Sequence, residues 1–159
     1  MSERVSAVEG ALFSNPVFLS AVWSLLIAQF IKAVVNLFRW RRSSLRDVLL
    51  TFLWRTGGMP SSHSALAVSI ATSIGFLEGF GSNLFVLALF FALVVIRDAM
   101  GVRRSAGLQA RALNALGRKI ASRFDEAFMP LKEVMGHTPS QVAIGGFLGF
   151  FIALAFCTL

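Results

Sequence analysis

Four long apolar runs, separated by segments that hold most of the charge, constrain this chain more than any other feature. They cover roughly residues 16–38, 62–80, 84–100 and 141–159. A helix that crosses a bilayer needs about 20 mostly apolar residues, so each run reads as a span. The third is short before Arg97 and is extended here to Met100. Only 14% of the 159 residues are charged, against about 25% in an ordinary soluble domain. The expected fold is therefore an all-α integral membrane protein, one domain over 1–159 with about four transmembrane helices. Between the third and fourth spans, the Arg- and Ala-rich stretch 102–135 predicts one or two amphipathic helices on the membrane surface. The pairs Gly75/Gly79 and Gly145/Gly149 have the spacing that lets neighbouring helices approach closely.

The charge distribution sets an orientation. Of 15 Lys and Arg, Arg4 alone precedes the first span; the others fall within 32–55 or 97–132. The positive-inside rule places those two regions in the cytoplasm and both termini outside, in a cell inner (plasma) membrane. In a soluble chain a net charge of +7 would suggest nucleic acid. Here it reads as topology signal and as contact with anionic membrane lipid, so no nucleic-acid partner is expected. Cys157 is the sole cysteine, which excludes a disulfide framework and a thiolate metal site. The start "MSERVSAVEG" lacks the pattern of a cleaved signal peptide.

Polar residues inside the apolar runs fall into four clusters. Gln29, Lys32, Asn36 and Arg39 are spaced by three, four and three, which places them on one face of the first span. A lysine within a span is costly unless it is paired, faces a polar cavity or snorkels to the interface. "PSSH" (Pro60–His63) opens the second span: Pro60 suits a first turn, Ser61 and Ser62 suit a cap, and the free N–H groups there suit phosphate. "IRDAMGVRR" ends the third span with Arg97 and Asp98, and "GHTPSQ" opens the fourth with His137 and Gln141.

The spans alternate in direction, so all four clusters lie on the same, cytoplasmic face. Three cations, two histidines and a helix N-terminus converge there. That set suits a phosphate ester: cations and N–H groups hold the oxygens, one histidine attacks and the other protonates the leaving group. No Asp/Glu/His set has metal-ligand spacing, and no Walker loop is present, so neither a metal nor another cofactor is expected.

These residues resemble the type 2 phosphatidic acid phosphatases, relatives of the vanadium haloperoxidases, and more closely their small, divergent bacterial and plant branch. The first family motif, Lys, six residues, then Arg-Pro, is similar to "KAVVNLFRW", with Lys32 and Arg39 matched and Trp40 in place of proline. The second, Pro-Ser-(Gly or Ser)-His, matches Pro60, Ser61, Ser62 and His63. The third resembles "RDAMGV" and "GHTPSQVAIGG" only if it is split by an Arg-rich insertion. The resemblance implies a metal-independent lipid phosphate phosphatase acting through a phosphohistidine. His137 would be the nucleophile, His63 the acid and then the base, and Lys32, Arg39, Ser61, Ser62 and Arg97 the phosphate-binding groups. The implied substrate is a lipid phosphate: phosphatidylglycerophosphate, phosphatidate, or an isoprenyl phosphate or diphosphate.

One departure from the family pattern bears on catalysis. Its aspartate, which orients the attacking histidine, falls on Gln141. Asp98 is the nearest candidate in the motif set that carries negative charge; its alternative role is to pair with Arg103 or Arg104 and anchor the surface helix. Two other readings stay open: a non-catalytic phospholipid-headgroup binder or scaffold that keeps the site's shape, and a small transport or channel subunit. The oligomeric state is open as well.

Overall fold

Asn15 begins the helical core by accepting hydrogen bonds from the N–H groups of Val17 at 2.8 Å and Phe18 at 3.3 Å, with Pro16 in the first turn. The computed structural model describes residues 11–39, 58–133 and 136–159. Its main helices are α1 (Pro16–Arg39), α2 (Ser62–Glu78), α3 (Asn83–Met100), α4 (Val102–Phe124) and α5 (Pro139–Thr158). No strand is present among the described residues. Each start has a sequence cause. Ser61 caps α2, Ser82 caps α3 by accepting from Phe85 N–H at 3.1 Å, and Thr138 with Gln141 forms a capping box on α5.

The core is built as membrane bundles are built. Its buried residues are mostly Ala, Ser and Gly, whereas Phe30, Leu87, Phe90, Val94 and Phe147 are more than half exposed. Small residues let helix backbones approach where lipid offers no hydrophobic drive to associate. The central element is α2, which packs against α1, α3 and α5. Ala67 and Ala71 of α2 meet Ala88 and Ala92 of α3. Along α1, Ser20 bonds Ser73 of α2 at 2.7 Å, and three turns further Lys32 reaches Ser62. The pair is therefore antiparallel.

The glycine pairs divide. A Cβ on Gly145 would strike the Ser61 carbonyl oxygen and one on Gly149 the Ala65 carbonyl oxygen, so α5 lies backbone-on-backbone against α2. The expectation for Gly75/Gly79 is corrected. The space beside Gly75 is filled by the rings of Phe80 and Phe85, and Gly79 ends α2 with φ of +87°.

Among the described residues three apolar helical stretches are long enough to cross a membrane: Pro16–Phe38, α3 at the head of Asn83–Phe124, and Pro139–Thr158. The expected second span is shorter than read, because Gly79 stops α2 at 17 residues. At 1.5 Å per residue that is about 25 Å, a little under the ~30 Å hydrocarbon layer. The expected surface segment is also shortened. Its helix stops at Phe124, where Asp125 takes a left-handed φ of 54°. Residues 125–133 then run back along α4 without helix. Buried Asn114 holds them, donating to the Leu131 carbonyl at 2.9 Å and accepting from Leu131 N–H at 2.8 Å. The remainder of that expected segment, 134–135, lies outside the described residues.

Candidate active site

Backbone bonds join three of the polar clusters at one end of the bundle, and Lys32 of the fourth reaches them by its side chain. Ser61 N–H donates to the Gln141 carbonyl at 3.1 Å, which ties the "PSSH" turn to the first turn of α5. His137 N–H donates to the Ala99 carbonyl at 3.0 Å, which ties the "GHTP" segment to the last turn of α3. Beside it Gly136 lies flat on the Arg104 backbone, where any Cβ would collide. Lys32 enters from α1. It is 2% exposed, and its Nζ donates to Ser62 Oγ at 3.4 Å. A lysine that deep is costly unless it is paired or faces a polar cavity, and Ser62 is its partner here.

His137 is 6% exposed, whereas His63 is open to the surface. They belong to one electrostatic cluster: the His63 ring interacts with Arg103, His137, Lys32 and Asp98. Burial lowers the pKa of His137 below the usual histidine value, the hydrogen bond to the Gln141 side-chain oxygen opposes that shift, and the charges on Lys32 and Arg103 add to it. The site accordingly favours the neutral ring.

The tautomer of that ring follows from hydrogen bonding. Thr138 N–H, which can only donate, lies 3.0 Å from Gln141 Oε1 and so fixes which end of the amide faces it. The same oxygen lies 3.2 Å from His137 Nδ1. Two acceptors do not share a hydrogen bond, so Nδ1 carries the proton and Nε2 keeps its lone pair. Gln141 thus supplies the orienting contact, and it does so without charge.

The acidic and basic residues depart from the sequence expectation. Asp98 does not contact His137; its Oδ2 accepts from Arg103 Nε at 2.7 Å. The arginine whose charge acts on both histidines is Arg103, in the first turn of α4. Arg97 is exposed, and its side chain makes no hydrogen bond or ion pair among the described residues. The sequence signal for Arg103 is Gly101, which separates α3 from α4: an arginine after that break returns toward the site, and one before it continues along α3. Ser61 serves as a cap, accepting from Ser64 N–H at 3.4 Å and Ser64 Oγ at 2.9 Å. Arg39 is the last residue of α1; the phosphate contact expected of its side chain lies outside the described residues. Among the described residues no three His, Cys, Asp or Glu stand close enough to share a metal ion.

Two comparisons with known proteins bear on this site. A family model described as "Divergent PAP2 family" matches residues 13–152. YuiD, an uncharacterized membrane protein of Bacillus subtilis (strain 168), is 36% identical over 154 residues, covering 90% of this chain and 94% of its own. No solved structure matches the chain.

Proposed function

This all-α membrane protein belongs to the divergent PAP2 family, and on that premise we propose that it is a lipid phosphate phosphatase working through a phosphohistidine on His137. The observation that carries the reading is the His137–Gln141 contact, which leaves Nε2 unprotonated on a ring that feels the charges of Lys32 and Arg103. In the first step the Nε2 lone pair attacks phosphorus, the P–O ester bond breaks, and the departing lipid oxygen takes a proton from His63. In the second, water attacks the same phosphorus, the N–P bond breaks, and His63 takes the proton from that water. Inorganic phosphate leaves, and both histidines regain their starting states. Lys32 and Arg103 hold the non-bridging oxygens, where developing charge is best stabilised by fixed donors. Ser62 shares Lys32.

Three features support a lipid as substrate: the site lies at the ends of apolar helices, Lys32 approaches it from within α1, and large apolar side chains cover the outside of the bundle. The charge asymmetry of the chain supports a cytoplasmic site.

A second reading, a phospholipid-headgroup binder without turnover, is favoured by the neutral Gln141. An aspartate there would balance the imidazolium that forms on attack, and a glutamine only orients it. Phosphate release from a panel of lipid phosphates by the purified protein in detergent separates the two. Release that disappears in His137→Ala supports the enzyme; tight binding of the same lipids with no release supports the binder.

A further inference from the structure

The ion pair between Asp98 and Arg103 needs an explanation that stability does not provide. Both side chains are 39% exposed, and an ion pair that open contributes little to folding. Its cost to the site is larger. Asp98 adds a carboxylate to a cluster otherwise made of Arg103, Lys32 and two histidines, and its charge is felt at His63. A negative charge there opposes binding of a phosphate group by simple Coulomb repulsion.

The geometry of the contact offers the compensation. Asp98 lies in the last turn of α3 and Arg103 in the first turn of α4, on opposite sides of Gly101. The carboxylate takes the guanidinium through Nε, at 2.7 Å. A guanidinium has five N–H donors in a rigid fork. Gripped at Nε, it has both Nη amino groups left over, and among the described residues neither has a partner.

We propose that Asp98 is a positioning residue that holds Arg103 side-on across the α3–α4 junction, so that its two Nη groups take a phosphate oxygen pair. The inference rests on the reading of the cluster as a phosphate site. It assigns Asp98 a role in oxyanion affinity, exerted through Arg103 and not through His137. A pre-set fork loses less freedom on binding than a loose one, and that difference appears as affinity.

The test uses the full-length protein in detergent, with orthovanadate as the oxyanion and calorimetric titration as the readout. Asp98→Ala is expected to weaken vanadate about tenfold, the loss typical of one charge-assisted contact. Asp98→Asn, which keeps an acceptor oxygen, is expected to weaken it less. The double variant Asp98→Ala/Arg103→Ala is expected to bind no more weakly than Arg103→Ala, because Asp98 has nothing left to position. Melting temperatures of the same samples show that each variant is folded, and Asp98→Asn carries the test where Asp98→Ala is not. Equal or tighter binding in the folded Asp98 variants means the carboxylate acts by charge alone and overturns the inference, as do losses that simply add in the double variant. Failure of the wild type to bind vanadate, or unchanged binding in Arg103→Ala, instead removes the phosphate site itself, and this inference with it.

Discussion

The side-chain oxygen of Gln141 lies 3.2 Å from Nδ1 of His137 and 3.0 Å from the N–H of Thr138. One oxygen thus orients the candidate nucleophile and closes the cap of α5. Replacing it separates orientation from charge. Gln141→Ala is expected to lower kcat by about 10²-fold, the scale of a misplaced reacting group. Gln141→Glu keeps the acceptor, adds the missing charge, and is expected to match or exceed the wild-type kcat. Steady-state phosphate release by the two variants checks this.

The pH dependence has a definite sign. Attack requires neutral His137, and burial holds the pKa of this ring below the ordinary histidine value. Activity is therefore lost as pH falls through that lowered pKa, and it is lost again on the alkaline side, where His63 no longer holds the proton it gives to the leaving oxygen. The acid limb of kcat/KM is expected below about pH 6.5, the unperturbed histidine value. In Gln141→Glu a neighbouring carboxylate favours the imidazolium, so the limb moves to higher pH. A wild-type acid limb above about pH 6.5 would show that the essential group is not a buried neutral histidine.

Two arginines six residues apart have different surroundings. Arg103 is bonded to Asp98 and its charge acts on both histidines, whereas Arg97 is exposed. Arg103→Ala is expected to raise KM and lower kcat/KM by about 10-fold or more, the loss of a charge-assisted contact. Arg97→Ala is expected to leave both nearly unchanged. Kinetics on the two variants, with melting temperatures, checks the assignment.

The α2–α5 contact yields a further pair. Gly145 abuts the Ser61 carbonyl, at the cap that carries "PSSH", and Gly149 abuts the Ala65 carbonyl one turn deeper. Gly149→Ala is expected to destabilise the bundle by about 1–3 kcal/mol, the range for overpacking, with kcat retained in the folded fraction. Gly145→Ala is expected to lower both stability and kcat, because it displaces the Ser61–Gln141 link that joins the two motifs. Thermal unfolding read beside activity distinguishes them.

Much of the architecture is legible in local sequence because local chemistry determines it. Proline after Asn15, serine at Ser61 and Ser82, and Thr138 with Gln141 mark helix starts directly. Gly145 and Gly149 make the close helix contact that their spacing allows, but Gly75 and Gly79 share that spacing and make none, so spacing alone does not decide it. The histidines are legible because a polar side chain at the edge of an apolar run is expensive and so conspicuous. Arg97 and Arg103 are harder to separate, since both lie in one basic stretch and the difference is a change of direction at Gly101. The end of α2 at Gly79 and the return of 125–133 onto Asn114 are tertiary choices that periodicity does not encode. The part assigned to Asp98 follows from reach across that same junction, which a linear motif places next to His137 only by analogy.

The most direct test of the account is to trap the phosphoryl group on the protein. Wild type incubated with a lipid carrying labelled terminal phosphate and quenched in base is predicted to hold label on His137, acid-labile as phosphohistidines are, with release unaffected by chelators. His137→Ala is predicted to hold none and to release no phosphate. Phosphate release at the wild-type rate by His137→Ala, or label on any other residue, would contradict it.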